Sequence, residues 1–401
     1  MEFGYHSHPL VLSNLPTEIL ILILGNFCLH CREPGGVPHL YFPKKQRQSD
    51  QPSWHSLDLQ ALYATCLVSK TLCGIAQSIL YHEFIPGYSD SGQSRQYEWI
   101  GRLESFLWTV SLRPDLASLV RGLYLSYWLL QPIWIYNGHV EALLEELARI
   151  RGINLSNFLK PFHDLPIRKL LGPYRPSADE LIAMLLASLP NLDRRYITSL
   201  TPRSPIPVAA LSAAGARCFR LQTIEICASG SNVRDRLGCI LEDSLPTLTT
   251  LNIDSFCSSD GDKLGFSELF FPRLRNIGVL VSRMSGPDLE QLLSYCTGLE
   301  TFTYDAISTL HCIKPSGIVE SLRRYQQTLR TMRLDLRAAR LIDERFLPEL
   351  IPTLENFSAL LNVSLNDYYC SPLRPYNTGE HNKLGQRHHG MLPVSFCSCR
   401  L

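Results

Sequence analysis

The sequence lacks a hydrophobic run long enough to cross a membrane. The uninterrupted apolar run near its start, Ile19 to Leu24, has six residues, whereas a membrane-spanning helix needs about 20. The residues before this run, 1–9, contain neither Lys nor Arg, so the positively charged start of a secretory signal is missing too. We therefore predict an intracellular protein, of the cytoplasm, the nucleus or both, with no membrane partner.

The sequence also has no large excess of positive or negative charge, and it lacks the motifs of common enzymes. The net charge is +1, and no basic stripe interleaved with aromatics is present, which argues against nucleic acid as a partner. The patterns GxSxG, HExxH, GxxxxGK[ST] and a GxGxxG after a strand are all absent. We predict a protein that is not an enzyme and needs no cofactor.

The thirteen cysteines do not form a disulfide framework, because secreted disulfide scaffolds are shorter and denser in cysteine. Cys28 and Cys31 make one CxxC pair with His30 between them. A zinc site would need a second ligand pair, and His39 and Cys66 are available only at an unfamiliar spacing. Buried structural cysteine is therefore the preferred interpretation, and no metal site is predicted.

What the chain does have is the composition of a folded protein. Hydrophobic residues make up 45% and charged residues 19% of its 401 residues. That length exceeds one ordinary core, so it indicates either two or three domains or one elongated array of repeats.

Residues 12–27 predict a helix that is apolar on nearly every side. Pro16 suits the first turn, where its missing N–H costs nothing. One face holds Leu15, Ile19, Leu22 and Ile23, and the other holds Leu20, Ile21 and Leu24. Such a helix must be covered on more than one side. The second cover is either the rest of this chain or a partner protein.

Two further short helices are predicted between residues 57 and 84. Ser69 is a suitable cap for the later one. The apolar positions of the earlier helix are Leu59, Leu62, Tyr63 and Cys66, and those of the later one are Leu72, Ile75, Ala76, Ile79 and Leu80.

The three helices together resemble an F-box over residues 12–85, in the form common in fungal F-box proteins. The resemblance rests on Leu15-Pro16-x-Glu18-Ile19-Leu20, Cys66-Leu67-Val68-Ser69-Lys70 and Leu80-Tyr81-x-x-Phe84. It implies that these helices bind the small adaptor subunit of an SCF ubiquitin ligase and, through it, the cullin. The adaptor-binding residues that it implies are Leu15, Pro16, Ile19, Leu20, Val68 and Leu72. The chain departs from the family in an insertion at 31–56, which its Pro, Gly, Gln and Ser content predicts to be a loop.

The rest of the chain repeats a short apolar template, Φ-x-x-Φ-x-Φ, where Φ is an apolar residue. Its middle positions are Ile224, Leu251, Ile277, Phe302, Met332 and Val363, at intervals of 27, 26, 25, 30 and 31 residues. Amphipathic stretches such as 286–298 and 316–328 lie between them. A strand and a helix at this interval resemble an irregular leucine-rich repeat. A compact α/β domain with parallel strands is the alternative, but the near-constant interval favours a solenoid with a parallel concave sheet.

Residues between the template positions should point to the opposite face of the strands. This predicts a substrate-binding face made of Glu225, Asn252, Asp254, Thr303, Asp305, Arg333 and Asp335. The acids Asp254, Asp305 and Asp335 would form one row across in-register strands and bind a basic or hydrogen-bonding segment. A plain solvated face is the alternative, because Thr is common at exposed strand positions.

The predicted fold is therefore α/β, with a small three-helix F-box followed by an irregular leucine-rich-repeat solenoid. The predicted segments are a tail at 1–11, the F-box at 12–85, a linker or first cap at 86–115, the solenoid at 116–366 and a tail at 367–401. The predicted function is substrate recognition, without catalysis, in an SCF-type ubiquitin ligase that acts on an unknown protein. The alternative is a leucine-rich-repeat scaffold or binding protein with no link to ubiquitin.

Overall fold

The computed structural model divides the chain into two compact units. The first comprises Met1–Ile226 and Arg234–Leu248, and the second comprises Cys227–Val233 and Thr249–Leu401. The residues that the structure describes are 15–32, 54–86, 101–125, 129–130, 140–164, 178–197, 207–215, 221–227, 246–254, 271–282, 284–306, 313, 315–335 and 354–365.

The first unit begins with four helices around a small apolar core. They are α1 (Thr17–Gly25), α2 (Leu29–Arg32), α3 (Trp54–Cys66) and α4 (Lys70–Leu80). The carbonyl of Pro16 accepts the N–H groups of Ile19 and Leu20 at 3.0 Å, which starts α1. Ser69 caps α4 by accepting the Leu72 N–H at 3.2 Å, as predicted. The core consists of Leu20, Leu24, Cys28, Leu62, Leu72, Ile75, Ala76 and Ile79.

The later part of the first unit combines short strands with longer helices. The helices are α5 (Arg102–Leu112), α6 (Pro114–Ala117), α7 (Val140–Arg151), α8 (Leu155–His163), α9 (Ala178–Ser188) and α10 (Val208–Ala213). The strands are β1 (Glu83–Phe84), β2 (Gly122–Leu125), β3 (Arg194–Ile197) and β4 (Thr223–Cys227). They pair in parallel and in chain order. Gly152 ends α7 in the left-handed region, which lets the Ile153 N–H bond the Ala148 carbonyl at 2.8 Å.

The second unit alternates strand and helix more regularly. Its strands are β5 (Thr250–Asp254), β6 (Asn276–Ser282), β7 (Thr301–Ala306), β8 (Thr331–Asp335) and β9 (Asn362–Leu365). Its described helices are α11 (Gly286–Ser294) and α12 (Pro315–Leu322), the latter followed by a 3₁₀ turn, Arg323–Tyr325. The strands again pair in parallel and in chain order.

The register of the second unit follows the predicted template. The middle positions of successive templates are register partners, namely Leu251, Ile277, Phe302, Met332 and Val363. The same positions are buried in β5 to β8, because every second side chain of a strand points to one face. The α/β class and the parallel, in-register strands are thus confirmed.

The predicted segments match these units only in part. The N-terminal helices share their compact unit with β1 to β4, so the predicted boundary at 85/86 does not separate the units. The predicted linker or first cap at 86–115 contains α5. The predicted insertion loop is wrong at both ends, because α2 continues to Arg32 and α3 begins at Trp54.

The predicted tails at 1–11 and 367–401, the middle of the insertion, 33–53, and residues 87–100 of the predicted linker or first cap lie outside the described residues. Across the part of the chain that is described, no helix is both long and apolar enough to pass through a membrane.

Candidate functional site

The N-terminal helices expose an unusual number of large apolar side chains. Of the eleven large hydrophobic residues exposed in the described part of the chain, eight lie between positions 19 and 68. They are Ile19, Ile21, Leu22, Ile23, Leu57, Tyr63, Leu67 and Val68. Single exposed apolar residues are ordinary, but a concentration of them marks an interaction surface. We call these eight residues the apolar surface.

The local folding of the helices explains why these side chains are left outside. α1 and α3 both pack against α4. In α1 the buried side chains are Leu20 and Leu24, one helical turn apart, so only this side reaches the core. Leu67 and Val68 follow the end of α3, in the turn before the cap residue Ser69. A turn held by that cap presents both to solvent, and each is 71% exposed.

The structure distributes the six predicted adaptor-binding residues unequally. Pro16, Ile19 and Val68 are exposed, and Leu15 is half-buried against the helical core. Leu20 and Leu72 are 1% and 2% exposed, so neither is accessible for the adaptor contact that the resemblance implies. Both belong to the core cluster, and neither can meet a partner without opening it.

Six members of the apolar surface were not among the site residues predicted from the sequence. They are Ile21, Leu22, Ile23, Leu57, Tyr63 and Leu67. The all-apolar run of α1 carried the relevant signal, since a small core can cover only one side of such a helix. Tyr63, predicted as an apolar position of α3, is 60% exposed.

The predicted substrate-binding face is accessible on β7 and β8. Thr303, Asp305 and Asp335 are half-buried and Arg333 is exposed, while the template residues beside them are buried. Thr303 pairs in register with Arg333, and Asp305 with Asp335. Because neighbouring strands lie about 4.8 Å apart, the two aspartates are adjacent in the sheet, and Arg333 lies two residues before Asp335.

The corresponding predicted positions on β4 and on β5 are buried. Glu225 and Asn252 are each 1% exposed, so their predicted surface position is wrong. Strand alternation places them opposite the template residues, but parallel sheets are often covered on both faces.

The continuous row of acids is also not observed. Asp254 pairs with the buried Leu280, and the register shifts between Val279 and Ser282 before β7. The acids that do adjoin each other are Asp305 and Asp335.

A group of potential metal ligands lies at the edge of the helical core. Cys28 directly precedes α2, while His30 and Cys31 lie within it. His82 lies in the turn between α4 and β1. One ligand atom from each of these four residues lies within 4.8 Å of the others. His82 is not part of the CxxC pattern in the sequence, because it lies 51 positions after Cys31.

The two thiols of this group differ in acidity. The hydrogen bond from Cys28, with those from His30 and His82, holds the pKa of Cys31 well below its ordinary value, although burial opposes this. The same thiol–thiol hydrogen bond, burial and the negative charge of Glu83 raise the pKa of Cys28. Cys31 therefore ionises first, and the thiolate is the form that binds metals.

Comparisons with models of protein families, with curated proteins and with solved structures find no match to this chain.

Proposed function

We propose that this chain is the substrate-recognition subunit of an SCF-type ubiquitin ligase. In this proposal the N-terminal helices are an F-box that binds the adaptor subunit, and the strand–helix repeats are irregular leucine-rich repeats that bind a protein substrate. The observation that carries the proposal is the apolar surface, which coincides with the segments that resemble an F-box.

The exposed side chains supply a physical reason for binding a partner. Burying a Leu, Ile or Val side chain contributes about 1.5–3 kcal/mol, and α1 alone exposes Ile19, Ile21, Leu22 and Ile23. The side opposite them is fixed by Leu20 and Leu24 in the core. The surface is therefore held in shape before a partner arrives, which lowers the entropy cost of association.

The proposed mechanism is proximity. The chain forms no covalent intermediate and holds a substrate near the charged conjugating enzyme, which raises the effective concentration of substrate lysines. Substrate binding is assigned to the accessible part of the sheet face, with Thr303, Asp305, Arg333 and Asp335. The adjacent carboxylates favour a basic or hydrogen-bonding segment.

Co-purification with the SCF adaptor subunit tests the proposal. We expect the wild-type chain to elute with the adaptor and the double variant Ile19→Asp/Val68→Asp to elute alone. These two side chains are 42% and 71% exposed, so the substitutions place charge in the interface without entering the core. Leu20→Asp would be uninformative, since it places a charge inside the core.

Leu361→Asp is the matched control, because Leu361 is 65% exposed but lies in the second unit. It should leave the adaptor complex intact. Failure of the wild-type chain to bind the adaptor would contradict the proposal, as would unchanged binding by the double variant. A different protein captured through Ile19 and Val68, with no adaptor, would support the binding protein without a ubiquitin role.

A further inference from the structure

We infer that Cys28, His30, Cys31 and His82 bind one Zn²⁺ ion as a structural site. This inference rests on the positions of the four side chains and is independent of the proposed ligase role. It would give the first unit a metal cross-link between α2 and the turn that joins α4 to β1.

The distances among the four side chains suit a tetrahedral ion. The Cys31 Sγ lies 3.3 Å from the His82 Nδ1 and 3.9 Å from the His30 Nδ1. The Cys28 Sγ lies 3.9 Å from the His82 Nδ1. With Zn–S of about 2.3 Å and Zn–N of about 2.0–2.1 Å, tetrahedral geometry places neighbouring ligand atoms roughly 3.3–3.8 Å apart. Movements of a few tenths of an ångström bring these three pairs to that range, and the remaining pairs, all within 4.8 Å, need to close by at most about 1.5 Å.

The donor set selects the class of ion. Two thiolates and two imidazoles favour Zn²⁺ over Ca²⁺ or Mg²⁺, which prefer oxygen ligands. Four protein ligands leave no open position for water or substrate, and closed sites of this kind are structural. The edge-to-face arrangement of His30 and His82, with ring centroids 5.1 Å apart, keeps both rings beside the same point.

Protein contacts place α2 independently of a metal. The Leu29 N–H donates to the Glu83 Oε2 at 3.1 Å, beside His82. Arg32 forms an ion pair with Asp58 of α3 at 2.7 Å. These contacts hold both ends of the short helix, so the ligands are brought together before the ion binds, as a well-supported site requires.

The position of the site gives it a structural purpose. α2 is the last element before the insertion, and α3 begins only at Trp54. A long insertion adds conformational entropy to the unfolded chain, which must be overcome to bring α1 and α3 together. A Zn²⁺ shared by α2 and His82 would fix the first end of the insertion, while the Arg32–Asp58 ion pair ties that end to α3.

Metal analysis of the full-length protein, purified without chelator, tests the inference. We expect about one zinc ion per chain, as in other closed four-ligand sites. Cys31→Ser and His82→Gln should lose the zinc. Cys73→Ser is the matched control, because Cys73 is a half-buried thiol of α4 outside the ligand group, and it should keep the zinc.

Two measurements on the wild-type chain remain informative even if a ligand variant fails to fold. A chelator should lower the melting temperature, and zinc chloride alone should restore it. Cobalt chloride, added to the stripped protein, should produce the thiolate-to-cobalt charge-transfer absorption that Cys28 and Cys31 require. Absence of zinc together with absence of that absorption would overturn the inference. A Cys28–Cys31 disulfide in freshly isolated, metal-free protein would also overturn it and assign a redox pair.

Discussion

The four N-terminal helices and the strands β6 to β8 differ in how many of their apolar residues are buried. In β7 the buried residues Phe302, Tyr304 and Ala306 alternate with half-buried polar neighbours. In α1 three consecutive apolar residues, Ile21 to Ile23, are all exposed while Leu20 and Leu24 are buried. In β7 the apolar residues are the ones that the core takes up, whereas α1 has six apolar residues from Ile19 to Leu24 and buries two of them.

The buried and the exposed apolar residues contribute differently to the stability of the fold. A surplus of apolar side chains contributes little to folding, because these groups stay in water in the isolated chain. Such residues become favourable only when another surface covers them. The helical region therefore carries two sets of apolar residues, one buried in the core and one exposed to water, whereas β7 and β8 carry only the buried set.

The largest expected effect is a difference in stability between substitutions of the buried and of the exposed apolar residues of α1. Leu20→Ala should destabilise the helical core by about 2–5 kcal/mol, because it leaves a cavity. Leu22→Ala should change stability by no more than about 0.5 kcal/mol, since Leu22 is 68% exposed. Hydrogen exchange of peptides covering α1 and α4 across a urea series measures both. Equal losses in the two variants would show that α1 does not direct Leu20 to the core.

A medium loss of stability is expected from a substitution at the buried contact between β5 and β6. A Cβ added to Gly278 would lie far inside van der Waals contact with the Oδ1 of Asn252 on the neighbouring strand. Gly278→Ala should therefore cost about 1–3 kcal/mol through overpacking, measured by chemical denaturation of the second unit.

The matched control for Gly278→Ala is a double-mutant cycle with Asn252→Ala. Removing the Asn252 side chain eliminates the clash, so the double variant should be more stable than the sum of the single losses predicts. Additive losses would mean that the two residues are not in contact.

The smallest expected effect concerns the turn that exposes Leu67 and Val68. Ser69→Ala removes the cap of α4 and should cost about 1 kcal/mol. Ser78→Ala is the control within the same helix, because the Ser78 hydroxyl donates only to the Ile75 carbonyl at 2.7 Å. That change should be neutral or slightly stabilising, since Ala is the better helix former. Thermal unfolding measures the stability of both variants. A similar loss of stability in both would argue against a capping role for Ser69.

The elements set by local patterns could be predicted from the sequence. Ser69 and the apolar spacing after it gave the start and buried face of α4, and the template gave the register of Phe302 with Met332. Both patterns depend on residues close in the chain, where helix and strand periodicity apply directly. Strand alternation also gave the correct face for Asp305 and Arg333.

Features set by contacts far apart in the chain could not be predicted in this way. Strand periodicity predicts on which face of the strand Glu225 and Asn252 lie. It does not predict whether other parts of the chain cover that face. His82 joins Cys28 and Cys31 only because α4 returns the chain to α2. The choice of Leu20 over Leu22 for the core likewise depends on where α4 lies, since both residues are leucines in the same apolar run.

The chain-order pairing of β5 to β9 has a consequence for how the second unit is made. Each pairing joins template residues 25 to 31 positions apart, from Leu251 with Ile277 to Met332 with Val363. The entropy of closing a loop depends on its length, so each new strand meets about the same kinetic barrier as the one before it. During synthesis each strand after β5 leaves the ribosome later than the strand with which it pairs. The sheet can therefore grow from β5 towards β9 while translation continues.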